Sequence, residues 1–354
     1  MAGFRDGCAS VNRDAGSAAV APGGPGAPAV APAKAGASGR LAATIFISAW
    51  DRGNIAAKRA AMTDPIPPNR VFPDARQEAE TAAQQTQSAQ TEHNAYRLAF
   101  QDMDFLLRED LRPVRFQLEL LKPELLLDEA KIGSTFVFYG SARIPEPAKA
   151  DALIAAAATD QQRHIAERLK AKGKYYEEAR RLARLASRCD PDNMGWRHFV
   201  VCSGGGPSIM EAANRGAQDE GAESVGLNIV LMHEQMPNPY VTPSLSFQFH
   251  YFALRKMHFL LRARAVAIFP GGFGTFDEAF ELLTLVQTGK VKPLPILFFG
   301  REFWERVIDF EALVEEGVIA PDDLKLFTFV DTAEEAWKHV CDYYAAKDET
   351  VTCG

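Results

Sequence analysis

From Ser134 onward, short apolar runs ending in glycine alternate with longer stretches of helical periodicity. STFVFYG (134–140), HFVVCSGGG (198–206), SVGLNIVL (224–231), AVAIFPGG (265–272) and LPILFFG (294–300) read as strands. Each is rich in β-branched and aromatic residues, which suit a pleated, buried surface. LFTFV (326–330) reads as a short edge strand. Residues 150–188 read as a helical stretch broken near Gly173, and 207–221, 250–264, 275–289, 301–316 and 332–344 as helices. Pro207 suits the first position of its helix. Strands apolar on both faces, separated by amphipathic helices, predict an α/β fold: a Rossmann-like, doubly wound parallel sheet with helices on both faces.

Upstream the pattern is different. Leu98, Phe105, Leu106, Leu111, Val114, Phe116, Leu118, Leu120 and Leu121 predict two amphipathic helices broken near Pro113. Residues 75–95, rich in Gln, Ala, Glu and Thr, read as a loose helix or linker. Between Ala15 and Arg40, 20 of 26 residues are Ala, Gly or Pro, too few side chains to offset the entropy of ordering. The expected organisation is a disordered tail over 1–70, a helical arm over 71–131, a Rossmann-like domain over 132–346 and a short tail over 347–354. Residues 1–61 read as a tail or as sequence ahead of the true start, because Met62 opens the polar stretch that leads into the arm.

Composition narrows the function. The chain has 354 residues, 47% hydrophobic and 24% charged, enough to bury a core. A net charge of -7 argues against nucleic acid as the main partner, while leaving room for a small anionic ligand at one positive site. No run of 18 apolar residues predicts a membrane span. Cys8, Cys189, Cys202, Cys341 and Cys353 are scattered without a CxxC, so neither a disulfide framework nor a metal site is expected. A cytoplasmic protein follows as the expectation.

Three small-residue turns carry the candidate chemistry: Gly140-Ser141-Ala142-Arg143, Ser203-Gly204-Gly205-Gly206-Pro207 and Pro270-Gly271-Gly272-Phe273-Gly274-Thr275. Each follows a strand and precedes a helix. In an open α/β sheet, ligands bind beyond the carboxyl ends of the strands, where helix N-termini offer free N–H groups to an anion. Together the turns read as a phosphate cradle. They lack both GxGxxG and GxxxxGK[ST]. Glu223 lies 19 residues after Gly204, but ahead of its strand, where a dinucleotide-binding acid does not belong. Glu278 has two readings, the acid of a Thr275-x-x-Glu278 capping box or a carboxylate facing the sugar of a bound nucleotide. Arg255 and Lys256 are adjacent on a helix, so one is expected inward and one outward, or both at the surface. Arg262 and Arg264 read as surface, and His250 and His258 as core or surface histidines.

SGGGPSIMEAANRGA (203–217), the Arg255-Lys256 pair and PGGFGTFDE (270–278) resemble the LOG (Lonely guy) family of nucleotide phosphoribohydrolases. GSAR (140–143) resembles the first nucleotide-binding turn of its longer bacterial branch, and the resemblance spans residues 132–345. It implies hydrolysis of the N-glycosidic bond of a purine nucleoside 5′-monophosphate, AMP or a cytokinin riboside monophosphate. It implies neither metal nor organic cofactor, and a homodimer or larger assembly. By resemblance Glu278 is the catalytic acid and Arg255 the catalytic arginine, holding Glu278 ionised. Gly271, Gly272, Gly274 and Thr275 bind the 5′-phosphate, and Gly140, Ser141, Gly204, Gly205, Gly206 and Lys256 complete the substrate site. Met210 and Glu211 have two readings, near the base or merely packed, and packing is favoured for Met210. Phe259 stands where shorter members often carry Met, at a position expected to reach the base. Members are often labelled lysine decarboxylases, yet Lys256 has no recognisable partners for a Schiff base. The rival readings are a nucleotide-binding module without hydrolysis and a carrier of a phosphorylated cofactor, and retention of Arg255 with Glu278 favours the enzyme.

Overall fold

The computed structural model describes residues 72–232 and 236–347. The expected tail over 1–70 lies outside these residues, as does the tail expected over 347–354 apart from Lys347. Residues 85–347 pack as one unit, and the described part of the chain before them carries helix α1 (Ala75–Ala82). In chain order there follow α2 (Met103–Leu106), α3 (Arg112–Glu129), β1 (Thr135–Tyr139), α4 (Ala150–Ala155), α5 (Asp160–Ala171), α6 (Lys174–Ala186), β2 (Val200–Ser203), α7 (Ile209–Asp219), β3 (Val225–Ile229) and β4 (Ser246–Phe249). The rest are α8 (Phe252–Leu261), β5 (Ala263–Ile268), α9 (Phe273–Gln287), β6 (Ile296–Phe299), α10 (Arg301–Val307), α11 (Phe310–Glu315), β7 (Thr328–Val330) and α12 (Ala333–Ala345).

The sheet has seven strands in the order β4-β3-β2-β1-β5-β6-β7, all parallel. The chain winds outward from β1 to β4 and then returns to place β5 beside β1. The direction reverses between those two strands, which is where an open α/β sheet offers its crevice. The α/β expectation is met, with helices on both faces. Phe136 and Phe138 enter the core under α6, α7 and α12, while Val137 and Tyr139 enter the core shared with α8, α9 and Trp304. That alternation is the two-residue period of a strand buried on both sides. Helices α6 and α7 approach closely because Gly216 has no side chain: a Cβ there would lie 2.2 Å from the Arg180 carbonyl oxygen.

Several expectations need correction. The helices α2 and α3 are broken near Pro113, but Pro113 itself does not make the break. It sits in the first turn of a single 18-residue helix, α3, where its missing N–H costs nothing, and Pro123 lies inside that helix. The stretch 150–188 makes three helices, and 301–316 makes two. Helix α7 begins at Ile209 with Ser208 as its N-cap residue, so Pro207 stands outside it. Strand β4 is an element the periodicity missed. Its four residues SFQF pair with β3 at the sheet edge, with Phe247 and Phe249 buried and Gln248 exposed. Among the described residues no helix is long and apolar enough to cross a membrane.

Candidate active site

A cavity of about 620 Å³ opens at the carboxyl ends of β1 and β5. Its wall is built from Gly140, Ser141, Ala142 and Arg143 after β1, Met210 on α7, Arg255 on α8, and Gly272–Phe276 with Glu278 on α9. The two central turns are stapled together: the Ser141 amide donates to the Pro270 carbonyl at 3.1 Å and the Phe269 amide to the Tyr139 carbonyl at 2.8 Å. Met210 faces the cavity, where core packing was expected. Its neighbour Glu211 accepts a hydrogen bond from the Tyr176 hydroxyl at 3.0 Å.

Helix α9 starts at Phe273 with Gly272 as its N-cap residue and no side-chain cap. The capping-box reading therefore falls. Thr275 lies within the first turn and Glu278 is the sixth residue of the helix, too far in to cap it. The first amides of α9 have no intrahelical acceptor, and the dipole is positive there. Gly272 and Gly274 leave those amides bare, since a Cβ on either would meet nothing within 4 Å. Gly271 is bare for a different reason: a Cβ there would lie 2.1 Å from Thr275 Oγ1.

Glu278 and Arg255 meet at the cavity wall. Arg255 Nη1 lies 3.5 Å from Glu278 Oε1, and the side chains are 11% and 15% exposed. Arg255 Nε donates to the Leu227 carbonyl at 2.7 Å, and its guanidinium centre lies 5.1 Å from the Phe259 ring centroid. Phe259 is thus fully buried beneath the arginine and is not part of the cavity lining. Burial pushes the Glu278 carboxyl up to about 7, against the downward pull of Arg255. Arg255 does favour the ionised carboxylate, as expected, but it does not overcome the burial. Desolvation wins, and the carboxyl is poised near neutral pH, as a general acid–base group requires.

The remaining expected site residues separate into two groups. Gly140, Ser141, Gly272, Gly274 and Thr275 line the cavity with Arg255 and Glu278. Gly204, Gly205, Gly206, Lys256 and Gly271 are not part of that lining. Gly204 supports the arginine, because a Cβ there would come within 2.6 Å of Arg255 Nη2. Lys256 Nζ is held by Asp277 at 2.9 Å and Glu281 at 3.0 Å. Arg143, which the sequence reading left out of the site, stands at the cavity mouth, exposed, with no carboxylate partner among the described residues.

Comparison with known proteins follows this geometry. A family model described as "Possible lysine decarboxylase" matches residues 210–340. A protein of Oryza sativa subsp. japonica named probable cytokinin riboside 5′-monophosphate phosphoribohydrolase LOGL3 is 23% identical over 164 residues, 43% of this chain and 72% of its own length. The Arabidopsis thaliana protein named cytokinin riboside 5′-monophosphate phosphoribohydrolase LOG3 is 28% identical over 99 residues, 28% of this chain and 46% of its own. The match thus spans less than half of that second relative. Among solved structures, the molybdenum cofactor carrier protein from Chlamydomonas reinhardtii is 14% identical, with a TM-score of 0.34 over 60% of this chain and 99% of its own. The decarboxylase description finds no support at Lys256. Burial pulls its ammonium down, but Asp277 and Glu281 carry it above the ordinary value, whereas a Schiff-base lysine works with a depressed one.

Proposed function

Because the chain belongs to the LOG (Lonely guy) family, we propose that it hydrolyses the N-glycosidic bond of a purine nucleoside 5′-monophosphate, AMP or a cytokinin riboside monophosphate, to the free base and ribose 5-phosphate. The observation that carries this reading is Glu278, buried 3.5 Å from Arg255 in the wall of a cavity rimmed by the bare N-terminus of α9.

The reaction breaks the bond between C1′ and the base nitrogen, and its electron pair leaves with the base. Positive charge builds on the sugar, as in glycoside hydrolysis. An ionised Glu278 stabilises that charge and takes a proton from the water whose oxygen bonds to C1′. The proton held by Glu278 is then given up, directly or through water, to the departing base, so that water supplies both the new C1′ hydroxyl and the hydrogen on the free base. Arg255 keeps a fraction of Glu278 ionised despite burial, and its fixed guanidinium orients the carboxylate or the ribose. The α9 amides exposed at Gly272 and Gly274, with Thr275, take the 5′-phosphate. Phosphate binding then supplies remote binding energy to the reacting bond.

The test is a product assay on the full chain. AMP, GMP, CMP and adenosine are each incubated with the protein and with its Glu278→Gln variant, and free base is followed by chromatography. Adenine release from AMP, absent with adenosine and lowered by at least about 10²-fold in the variant, is expected. No base release from any nucleotide overturns the hydrolase reading.

A further inference from the structure

Helix α3 precedes the first strand of the sheet, and it grips α8, the helix that carries Arg255, at both ends. At the N-terminal end, Glu119 Oε1 accepts the His250 amide at 2.8 Å and Oε2 accepts the Tyr251 amide at 3.2 Å. Tyr251 is the N-cap residue of α8 and supplies no side-chain cap of its own. Glu119 therefore caps the approach to α8 from another helix, with a negative charge at the positive end of its dipole. The Phe116 ring stacks on Tyr251 with centroids 4.1 Å apart. In the middle, His258 Nε2 lies 3.2 Å from the Glu119 carbonyl oxygen. At the C-terminal end, Arg262 donates to Glu124 at 3.1 Å, to Asp128 at 2.8 Å and to the Ile132 carbonyl at 2.6 Å. Arg262 is only 12% exposed, which corrects its reading as a surface charge.

From this arrangement we infer that the α3 arm is a splint for catalysis, in which Glu119 is a positioning residue that sets Arg255 against Glu278 by fixing the start of α8. The inference rests on the proposed hydrolysis for its kinetic readout. Its physical basis is leverage. Arg255 sits one turn into α8, and its amide donates to the Tyr251 carbonyl at 3.1 Å. Fraying the capped segment moves that turn directly. A misplacement of about 1 Å costs on the order of 10² in rate when the displaced group acts on the reacting centre.

The test compares Glu119→Ala, Glu119→Gln and, as a control, Glu129→Ala on the exposed end of the same helix. AMP hydrolysis is measured for kcat, KM and pH profile, and α8 is followed by hydrogen–deuterium exchange of the 252–261 amides. Glu119→Ala is expected to lower kcat by about tenfold or more with KM nearly constant. Its pH midpoint is expected to move upward, because a loosened Arg255 favours ionised Glu278 less. Glu119→Gln, which keeps an acceptor, restores most of kcat, and Glu129→Ala behaves as wild type. An unchanged kcat in folded Glu119→Ala, or a rise in KM alone, overturns the inference. If the wild-type chain releases no base from any nucleotide, the hydrolase reading fails by itself. The exchange data then decide the splint: faster exchange over 252–261 in Glu119→Ala supports it, and unchanged exchange overturns it.

Discussion

The turn after β2 is crowded, and the turn after β5 is bare once past Gly271, although both are strings of glycine in the sequence. At the first, a Cβ on Gly204 would press on Arg255 Nη2 at 2.6 Å and on Met210 Sδ at 2.9 Å. Gly205 has φ +70° and would meet Asn228 Oδ1 at 2.4 Å. Its carbonyl and that of Gly206 are taken by the Asn238 amide at 2.8 Å and the Asn238 side chain at 3.0 Å. At the second, Gly272 and Gly274 meet nothing within 4 Å. Gly274 is the second residue of α9, where alanine would be preferred by roughly 0.5–1 kcal/mol and no neighbour forbids it. Packing explains the first turn and leaves the second unexplained. The first is a shelf that holds the arginine, and the second, on the proposed function, is a surface kept open for the phosphate. Glycine content alone does not separate these roles; the atoms around each missing Cβ do.

Breaking the shelf has the largest expected effect. Gly204→Ala displaces the Arg255 guanidinium and presses on Met210 in the cavity wall but leaves the turn after β5 untouched, so kcat is expected to fall by about 10²-fold while KM stays within a small factor. Steady-state kinetics on AMP measures it, and a rise in KM alone would merge the two turns into one ligand-binding surface. Next comes the pH dependence. In the proposed reaction the active form of Glu278 is the ionised one, and burial raises its titration to about 7. Below that pH, kcat/KM is expected to fall by about tenfold per unit, and above it to level off. A profile flat between pH 5 and 7 would assign the base to another group.

Most of the fold was legible because the central strands are continuous apolar runs and each interior turn ends in small residues. The sheet edge was not: SFQF in β4 is short and half polar, and only its pairing with β3 makes it a strand. The site was partly legible. Glu278 and Arg255 stand out by their motifs, and the fold brings them to 3.5 Å across 23 positions of sequence. Arg262 was misread because its partners Glu124 and Asp128 lie more than 130 residues away. Glu119 left no sequence signal for the same reason, since a carboxylate that caps a distant helix looks like any acid on an amphipathic one. The raised titration of Glu278 also needed the fold, because burial and not a neighbouring residue type causes it.

Filling the open turn should sharpen the contrast. Gly274→Ala is expected to raise the melting temperature by about 2 °C, through helix propensity, while raising KM for AMP by about fivefold as the methyl crowds the phosphate position. Thermal melting without ligand and steady-state kinetics read the two effects separately. A melting gain with unchanged KM would mean that the bare amides do not meet the phosphate.

The smallest expected effect belongs to Arg143. Its guanidinium stands at the mouth of the same cavity, exposed and without a carboxylate partner among the described residues. An exposed charge acting on a phosphate through water is worth up to about 1 kcal/mol, or roughly fivefold in affinity. Arg143→Gln is therefore expected to raise KM for AMP by about two- to fivefold, with kcat and melting temperature unchanged. The increase should shrink in high salt, since screening at 1 M reduces the reach of an exposed charge to about 3 Å. A loss confined to kcat would move Arg143 from the rim of the open turn to the reacting centre beside Arg255. An effect unchanged by salt would replace a screened attraction with a direct, dehydrated contact to the ligand.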